Sequence, residues 1–408
     1  MSFPRYPKYK ASGVEWLGEV PDGWAFKPIW NFFRRVKRVG FENEQLLSVY
    51  RDYGVIPKAS RDDNFNKPSE DLSVYQLVIV GDLAINKMKA WQGSLAISEH
   101  RGIVSPAYFV YEAMHLENNR YLHYLMRSVR YITGYLSISK GVRVNQWDMD
   151  PQHHSRMPLL VPPLPEQTAI AEFLDRETGK IDELVAEQRR LMELLKENIT
   201  SLVLSSVDLP STKRLRFRDA ASIISRPVLQ QEEESYTRIG LFNRGRGLFH
   251  KDASEMDDMG ESDFFWIEEG DLIISGQFAW EGAVAMAGKA DTGCVVSHRY
   301  PVLRGVHGIA LTEYLFGLLC TNHGDFLLNE NSRGAAGRNR PLNIRYLMNE
   351  TIPVPSMQIQ EAVARAIHSR AVLFQEISNT IDLLQERRTA LISAAVTGQI
   401  DVRQQRRN

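Results

Sequence analysis

Two stretches of the chain carry the same apolar heptad pattern, and this duplication constrains the fold more than any other feature. In residues 166–206, apolar side chains recur in two rows three residues apart, and residues 359–397 repeat both rows 193 positions later. Such a pattern predicts two helices whose narrow apolar stripes pack against each other. The predicted seam residues are Leu174, Ile181, Leu184, Leu191, Leu195 and Leu202 in the first stretch, and Ile367, Phe374, Ile377, Ile381, Leu384 and Leu391 in the second.

The duplication extends beyond the two helical stretches. Residues 80–96 align with residues 269–285 through shared glycine, aspartate, tryptophan and alanine positions, at an offset of 189. Because a repeated pattern indicates repeated structural units, the sequence predicts two similar α/β heads, each followed by a long helix. The predicted class is α+β, a pseudo-twofold tandem repeat in which two long antiparallel coiled-coil helices separate the heads. At about 1.5 Å per residue, the first of these helices would be roughly 60 Å long.

Proline and glycine punctuation gives the boundaries of these parts. Residues 1–20 are too few for a domain, so we expect them to pack near the C-terminus. The other predicted parts are a first head at residues 21–162, a central helix at 163–208, a second head at 209–355, and a C-terminal helix and tail at 356–408. Within the first head, short strands are predicted at residues 46–50, 77–80 and 103–110, and a helix at 121–135.

Composition and charge narrow the class of protein. The chain is 43% apolar and 24% charged, with no long apolar run and no signal-peptide pattern, so we expect a cytoplasmic protein. Cys294 and Cys320 are too few for a disulfide framework or a cysteine-rich zinc site. A net charge of −1 argues against indiscriminate coating of nucleic acid. Residues 166–206 contain nine acidic and five basic side chains, so a surface for a polyanion should lie elsewhere.

The sequence lacks the motifs of the enzymes that act on DNA or nucleotides. There is no GxxxxGK[ST] phosphate loop and no glycine-rich dinucleotide turn. Residues 161–164 read Val-Pro-Pro-Leu, whereas an amino-methyltransferase would have a polar first residue and a final aromatic residue. His153 and His154 have no further metal ligands nearby, which predicts a polar loop rather than a metal site. We therefore expect no catalytic, cofactor-binding or metal-binding residues.

Residues suited to DNA recognition are present in both heads. Arg, Lys, Asn and Gln contact base edges and phosphates, and glycines at 332–340 allow close approach of the backbone. A solvated surface charge is the alternative for each single residue, and Trp91 and Trp280 are predicted to be packed core indoles. The predicted DNA-binding residues are Asn86, Lys87, Lys89, Gln92, Lys140, Arg143, Asn145 and Gln146 in the first head, and Arg244, Arg246, Gln277, Arg333, Arg338, Asn339 and Arg340 in the second.

Several stretches together resemble the DNA-specificity subunits of type I restriction–modification systems, over essentially the whole chain. At the start of the second helix, residues 355–360 depart from the Pro-Pro-Leu-Pro-Glu-Gln form found at the first. The stretches that carry the resemblance are residues 13–18, 21–24, 86–93, 161–167, 275–282 and 391–402.

The resemblance implies a non-catalytic, sequence-specific DNA-binding subunit. Each head would be a target recognition domain that reads one half of a bipartite, asymmetric site in double-stranded DNA, and the helices would set the spacer. Two modification (methyltransferase) subunits with S-adenosylmethionine would dock on this chain, and restriction motor–nuclease subunits using ATP and magnesium would join them. The chain itself would bind no cofactor and no membrane. The alternatives are a coiled-coil protein scaffold without direct DNA reading, and a self-contained enzyme with an unrecognised site.

Overall fold

The structure is a computed structural model that describes residues 3–61, 68–143, 146–229, 235–255, 262–334 and 340–403, without the side chains of residues 142, 143 and 146. The chain divides into two compact units. One unit is Met1–Ala186 with Thr380–Asn408, and the other is Glu187–Asn379. Each unit therefore combines one head with part of each long helix.

Within its described residues, the first half of the chain contains short strands, three short α-helices and one long α-helix. Its strands are β1 (Tyr9–Ala11), β2 (Glu19–Pro21), β3 (Ala25–Pro28), β4 (Phe33–Val36), β5 (Leu47–Tyr50), β6 (Gly54–Pro57), β7 (Gln76–Val78), β8 (Leu83–Asn86), β9 (Leu95–Ile97), β10 (Gly102–Val104), β11 (Tyr108–Ala113), β12 (Ser139–Arg143), β13 (Gln146–Met149) and β14 (Pro158–Val161). Its helices are α1 (Asn119–Met126), α2 (Val129–Ser137), α3 (Pro151–Arg156) and α4 (Leu164–Val207).

The second half follows the same plan with fewer strands. Its strands are β15 (Lys213–Arg216), β16 (Ala221–Ile224), β17 (Ile239–Leu241), β18 (Leu248–His250), β19 (Phe264–Trp266), β20 (Leu272–Ile274), β21 (Val284–Met286), β22 (Val295–Ser297), β23 (Val302–Gly305) and β24 (Thr351–Val354). Its helices are α5 (Phe217–Ala220), α6 (Thr312–Leu319), α7 (Asn322–Glu330), α8 (Ile344–Leu347) and α9 (Met357–Val396).

The two heads share one strand topology, which confirms the predicted tandem repeat. The central sheet has the order β4-β11-β8-β9 in the first head and β16-β23-β20-β21 in the second, and all neighbouring strands are antiparallel. Three two-stranded pairs also correspond between the heads. They are β3–β14 with β15–β24, β5–β6 with β17–β18, and β7–β10 with β19–β22.

A buried glutamine fixes the start of each long helix to its own head. Gln167 accepts the backbone N–H of Asn118 at 3.0 Å, and Gln360 accepts that of Leu311 at 2.8 Å. Each side-chain amide also donates to a proline carbonyl just before the helix, at 2.8 and 2.9 Å. The altered sequence before the second helix therefore leaves this anchor unchanged.

The two long helices run antiparallel, as the sequence predicts. In the first unit, Arg388 of α9 donates to both carboxylate oxygens of Asp182 of α4, at 2.9 and 3.2 Å. In the second unit, Lys196 of α4 lies 5.9 Å from the ring centroid of Phe374 of α9. Residue numbers thus rise along one helix as they fall along the other.

Burial follows the predicted seam on α9 and departs from it at two positions on α4. All six predicted residues of α9 are buried or half-buried, as are Leu174, Ile181, Leu195 and Leu202 of α4. Leu184 and Leu191, however, are 45% and 43% exposed. On α4 the second buried row lies four residues after the first row, whereas the prediction placed it three residues after. Val185 and Met192, which directly follow Leu184 and Leu191, occupy this buried row. The leucines at the i+3 positions fit a heptad pattern in the sequence, but they are not the side chains that the structure buries.

The N-terminal segment contacts the C-terminal residues within the first unit. The hydroxyl of Tyr9 donates to the carbonyl of Gly398 at 2.9 Å, and the backbone N–H of Asp401 donates to the carbonyl of Pro4 at 2.8 Å. The guanidinium of Arg403 lies 4.8 Å from the ring centroid of Tyr6. Among the described residues, no helix is long and apolar enough to cross a membrane.

His154 lies in the core of the first head, whereas a polar loop was predicted there. It lies on α3, fully buried, with its ring 5.5 Å from that of Tyr111 and 5.8 Å from that of Tyr135. Neither ring nitrogen has a hydrogen-bond partner among the described residues. Burial lowers the pKa of His154 to about 4, because the charged imidazolium would lose its hydration.

We expect the first unit to lose stability as the pH falls from about 6.5 towards 4. In that range the unfolded chain binds a proton on His154 and the folded chain does not, so the free energy of unfolding decreases, by an amount on the order of 2 kcal/mol. Urea unfolding at several pH values would measure this. Burial also lowers the pKa of His115 and lowers that of His123 to about 4, so His154→Leu should reduce the pH dependence without abolishing it. A substitution of the exposed neighbour, His153→Leu, should leave it unchanged. Equal profiles for the two variants would contradict the assignment.

Candidate nucleic-acid interface

The duplicated segment forms the same turn in both heads. In the first head, β8 ends at Asn86, a 3-10 turn follows at Ala90–Gln92, and β9 begins at Leu95. The second head has its 3-10 turn at Ala279–Glu281, between β20 and β21. Gly93 (φ 89°) and Gly282 (φ 68°) close the two turns in the left-handed conformation that favours glycine. We call residues 86–92 and 275–281 the reading turns.

A buried carboxylate lies just before the strand that leads into each reading turn, β8 in the first head and β20 in the second. Asp82 accepts from the guanidinium of Arg38 at 2.5 Å, and burial raises its pKa although Arg38 opposes the shift. The equivalent Asp271 is fully buried and accepts from Arg226 at 2.8 Å and from Arg304 at 2.6 Å. These arginines come from β23 or from just after β4 and β16, so they join the start of β8 and of β20 to neighbouring parts of the central sheet. They are positioning residues, and their partnership with the shared aspartates was not predicted from the sequence.

In the first head, the β12–β13 hairpin packs against the reading turn. The backbone N–H of Met149 donates to the carbonyl of Lys87 at 3.0 Å, and the rings of Trp147 and Trp91 lie 4.7 Å apart. Lys87 and Lys140 line one cleft of about 450 Å³. The structure thus brings together two groups of predicted residues that are about fifty positions apart in the sequence.

Most of the predicted residues of the first head are accessible to a ligand. Lys89 and Lys140 are exposed, and Asn86, Lys87 and Gln92 are half-buried. Asn86 also accepts the backbone N–H of Met88 at 3.2 Å, which orients its amide. Asn145 and the side chains of Arg143 and Gln146 lie outside the described residues, although Arg143 ends β12 and Gln146 begins β13.

The second head makes an equivalent backbone connection. The N–H of Leu342 donates to the carbonyl of Gly276 at 2.8 Å, as Met149 does to Lys87. The guanidinium of Arg340 lies 5.3 Å from the centroid of the Trp280 indole, and Gln277 is exposed. Trp91 and Trp280 are only half-buried, so neither is the packed core indole that was predicted.

A loop between β17 and β18 is fixed to the second reading turn. The backbone N–H of Arg244 donates to the carbonyl of Glu281 at 3.1 Å, and Asn243 donates its side-chain amide to the Glu281 carboxylate. Arg244 has a left-handed backbone (φ 59°), a conformation that is uncommon for a residue with a side chain. The side chains of Arg244 and Arg246 are exposed. The loop therefore presents two predicted DNA-binding arginines beside the turn.

The contacts that the structure describes for Arg333 are with residues other than the reading turn and the β17–β18 loop. Its side chain is exposed and donates to the carbonyl of Glu330 at 3.2 Å, and it lines a separate cleft of about 500 Å³ with Phe326 and Tyr346. Arg338 and Asn339 lie outside the described residues. Among the residues that the structure does describe, no group of three or more His, Cys, Asp or Glu side chains could hold a metal ion.

No family model matches the chain. A curated relative, the StySPI specificity subunit of a type I restriction enzyme from Salmonella potsdam, is 19% identical over 94% of this chain and 90% of its own length. The resemblance in the sequence motifs to type I specificity subunits is therefore confirmed over nearly the whole chain.

The fold is also similar to that of solved structures. One chain, from a structure describing complex assembly and conformational transition of the type I R-M system, matches with a TM-score of 0.57 and 16% identity, over 93% of this chain and 99% of its own. The HsdS subunit from Thermoanaerobacter tengcongensis matches with a TM-score of 0.44 and 16% identity, over 96% of this chain and 100% of its own. The first match confirms the predicted α+β tandem-repeat fold.

Proposed function

We propose that this chain, which resembles type I specificity subunits along its length, is the sequence-specific DNA-binding subunit of a type I restriction–modification complex. The observation that carries this proposal is the pair of reading turns. Their frames are equivalent, yet the first presents Asn86, Lys87 and Lys89 where the second presents Ser275, Gly276 and Phe278. Two turns with the same backbone frame and different side chains suit two heads that read different halves of one asymmetric site.

We further propose that the chain docks two modification subunits and the restriction motor–nuclease subunits in the cytoplasm. Support comes from the matched solved chain, which belongs to a structure describing complex assembly of the type I R-M system. Leu184 and Leu191, one heptad apart on α4, are also exposed. The chain would contribute recognition and no catalysis. S-adenosylmethionine, ATP and magnesium would bind to the partner subunits, and this chain would bind none of them.

Exchange of one head tests the reading proposal. Replacing residues 21–162 by the corresponding head of a relative should change the methylated sequence in one half-site only. Methylome sequencing of cells that carry the hybrid chain would show the change. An alteration of both halves would contradict independent reading, and an unaltered sequence would favour the scaffold without DNA reading. The parental chain in the same cells is the control.

The long helix pair is proposed to set the spacer between the half-sites. Insertion of four residues into both α4 and α9, about one helical turn, adds roughly 6 Å to each helix. We expect the methylated site to keep both half-sites and to gain at least one spacer base pair. Four alanine substitutions at the same exposed positions would control for loss of local sequence. An unchanged spacer length would show that the helices do not set the distance between the half-sites.

A further inference from the structure

The β17–β18 hairpin of the second head carries two exposed phenylalanines and an arginine. Phe242 and Phe249 are 42% and 37% exposed, and their ring centroids lie 4.8 Å apart. The guanidinium of Arg246 lies 5.4 Å from the centroid of Phe242, and its Nε donates to the carbonyl of Asn243 at 3.0 Å. The arginine is therefore held in place by a ring and by the backbone.

The two phenylalanines have different tasks. A Cβ at Gly240 would overlap the ring of Phe249, so this ring covers the glycine on the neighbouring strand. Phe249 thus has a structural role within the hairpin. Phe242 packs on Phe249 and remains 42% exposed, and the exposed Arg246 lies over its ring. The stability of the hairpin does not explain why Phe242 and Arg246 are exposed together.

The position and charge of this hairpin favour a polyanion beside the reading turn. Backbone hydrogen bonds from Arg244 and Gly245 to Glu281 and Gly282 fix its loop to that turn. Residues 238–251 contain four Lys or Arg residues and no Asp or Glu. The carboxylates of Glu281 and Asp291 hydrogen-bond to Asn243 and His250 of the hairpin, and its four Lys or Arg residues outnumber them. Continuity with the candidate interface and this excess of positive charge together fit duplex DNA.

The equivalent hairpin of the first head has the same components. Tyr53, in the loop between β5 and β6, is 58% exposed, and the guanidinium of Arg61 lies 4.5 Å from its ring centroid and 5.1 Å from that of Tyr50. Gly54, with a φ of 73°, lies against Ala96 of β9, the strand that follows the reading turn. An arginine over an exposed aromatic ring therefore occurs at the equivalent hairpin of both heads, although the residues differ.

We propose that these two hairpins are sequence-independent DNA anchors. In each, the guanidinium contacts a backbone phosphate and the aromatic ring packs on the adjoining deoxyribose. Phosphate contacts fix register without reading bases, and an arginine already held on a ring loses less side-chain freedom on binding. The inference rests on the proposed DNA-binding function and assigns Phe242, Arg246, Tyr53 and Arg61 to affinity rather than to sequence.

The test uses the full chain assembled with its modification subunits, on one duplex with the recognised site and one without it. The double variant Phe242→Ala/Arg246→Ala should lower the affinity for both duplexes by the same factor, about tenfold, and should reduce the salt slope by about 1. Arg246→Lys should keep the salt slope, because the positive charge remains. Tyr53→Ala should lower both affinities with an unchanged slope. The methylated sequence should be the same for every variant.

Two single substitutions in the second head serve as controls. Ile223 is 52% exposed on β16 and Arg345 is exposed on α8, and alanine at either position should leave both affinities unchanged. Affinities of the double variant equal to those of the parent would overturn the anchor. Loss on the recognised duplex alone, or a changed methylated sequence, would make the hairpin a base reader and would also overturn it. A parental complex that binds neither duplex would refute the proposed function itself.

Discussion

Alanine at Lys87, Lys89 and Lys140 is expected to weaken DNA binding by the assembled complex about a thousandfold at low salt. Lys87 and Lys140 line one cleft, and the exposed Lys89 lies on the same reading turn. Each lysine that neutralises a phosphate releases about one counterion, which contributes roughly tenfold in affinity near 0.1 M salt. The slope of log K against log salt should therefore decrease by roughly 2.7 for three contacts.

A charge-matched variant separates position from net charge. Alanine at Lys180, Lys196 and Lys213 removes the same number of positive charges outside the reading turns. Lys180 and Lys196 form ion pairs within α4, and Lys196 also lies over the Phe374 ring of α9. Exposed ion pairs of this kind contribute little to stability. We expect the affinity of this variant to stay within about threefold of the parent. Equal losses in the two triple variants would mean that only the total charge matters, and would remove the first reading turn from the interface.

Asp271→Asn is expected to destabilise the second head by about 3 kcal/mol. The carboxylate is fully buried, and the substitution leaves the guanidinium groups of Arg226 and Arg304 without their main buried partner. It also weakens the acceptor for the backbone N–H of Glu268, at 2.8 Å, which shapes the chain before β20. Hydrogen exchange of the β20 amides would measure this loss of stability within the second head, even if the first head stays folded.

The matched control is Glu268→Gln. This carboxylate contacts the same two arginines, at 3.0 and 3.2 Å, but it is 51% exposed. Water and salt screen such a pair, so we expect a loss of less than about 1 kcal/mol. If the two substitutions had the same effect, burial would not be the reason that Asp271 matters, and its contact with the arginines would be an ordinary surface ion pair.

The repeat and the antiparallel helices could be predicted because both rest on periodic patterns. Residue identity within a pattern was less informative. The helix predicted at 121–135 is two helices, α1 and α2, because Ser128 directs both its hydroxyl and its backbone N–H to the carbonyl of Leu125 and so ends the first one. The strand predicted at 103–110 is divided between β10 and β11. In both cases the apolar pattern is continuous in the sequence, but a local hydrogen bond or turn divides the element in the structure.

The ion pairs at the starts of β8 and β20 were missed for a related reason. Asp82 and Asp271 stand out as shared residues, but their partners come from other strands, and ion pairing across a sheet leaves no spacing signal. Arg38 and Arg226 do lie at matching places in the two heads, 188 residues apart, which is a signal that alignment of the halves could have used. His154 was misjudged because a histidine pair looks polar, whereas only one of the two side chains faces solvent.

The division of the chain into units also affects how it folds during synthesis. The second unit, Glu187–Asn379, is one continuous stretch, whereas the first needs both Met1–Ala186 and Thr380–Asn408. Because domains fold as their residues leave the ribosome, the unit that is synthesised first should be the last to be completed. Until the C-terminal end of α9 emerges, the apolar face around Leu174 has no helix to cover it, and a stalled or truncated chain would expose that face to chaperones and proteases.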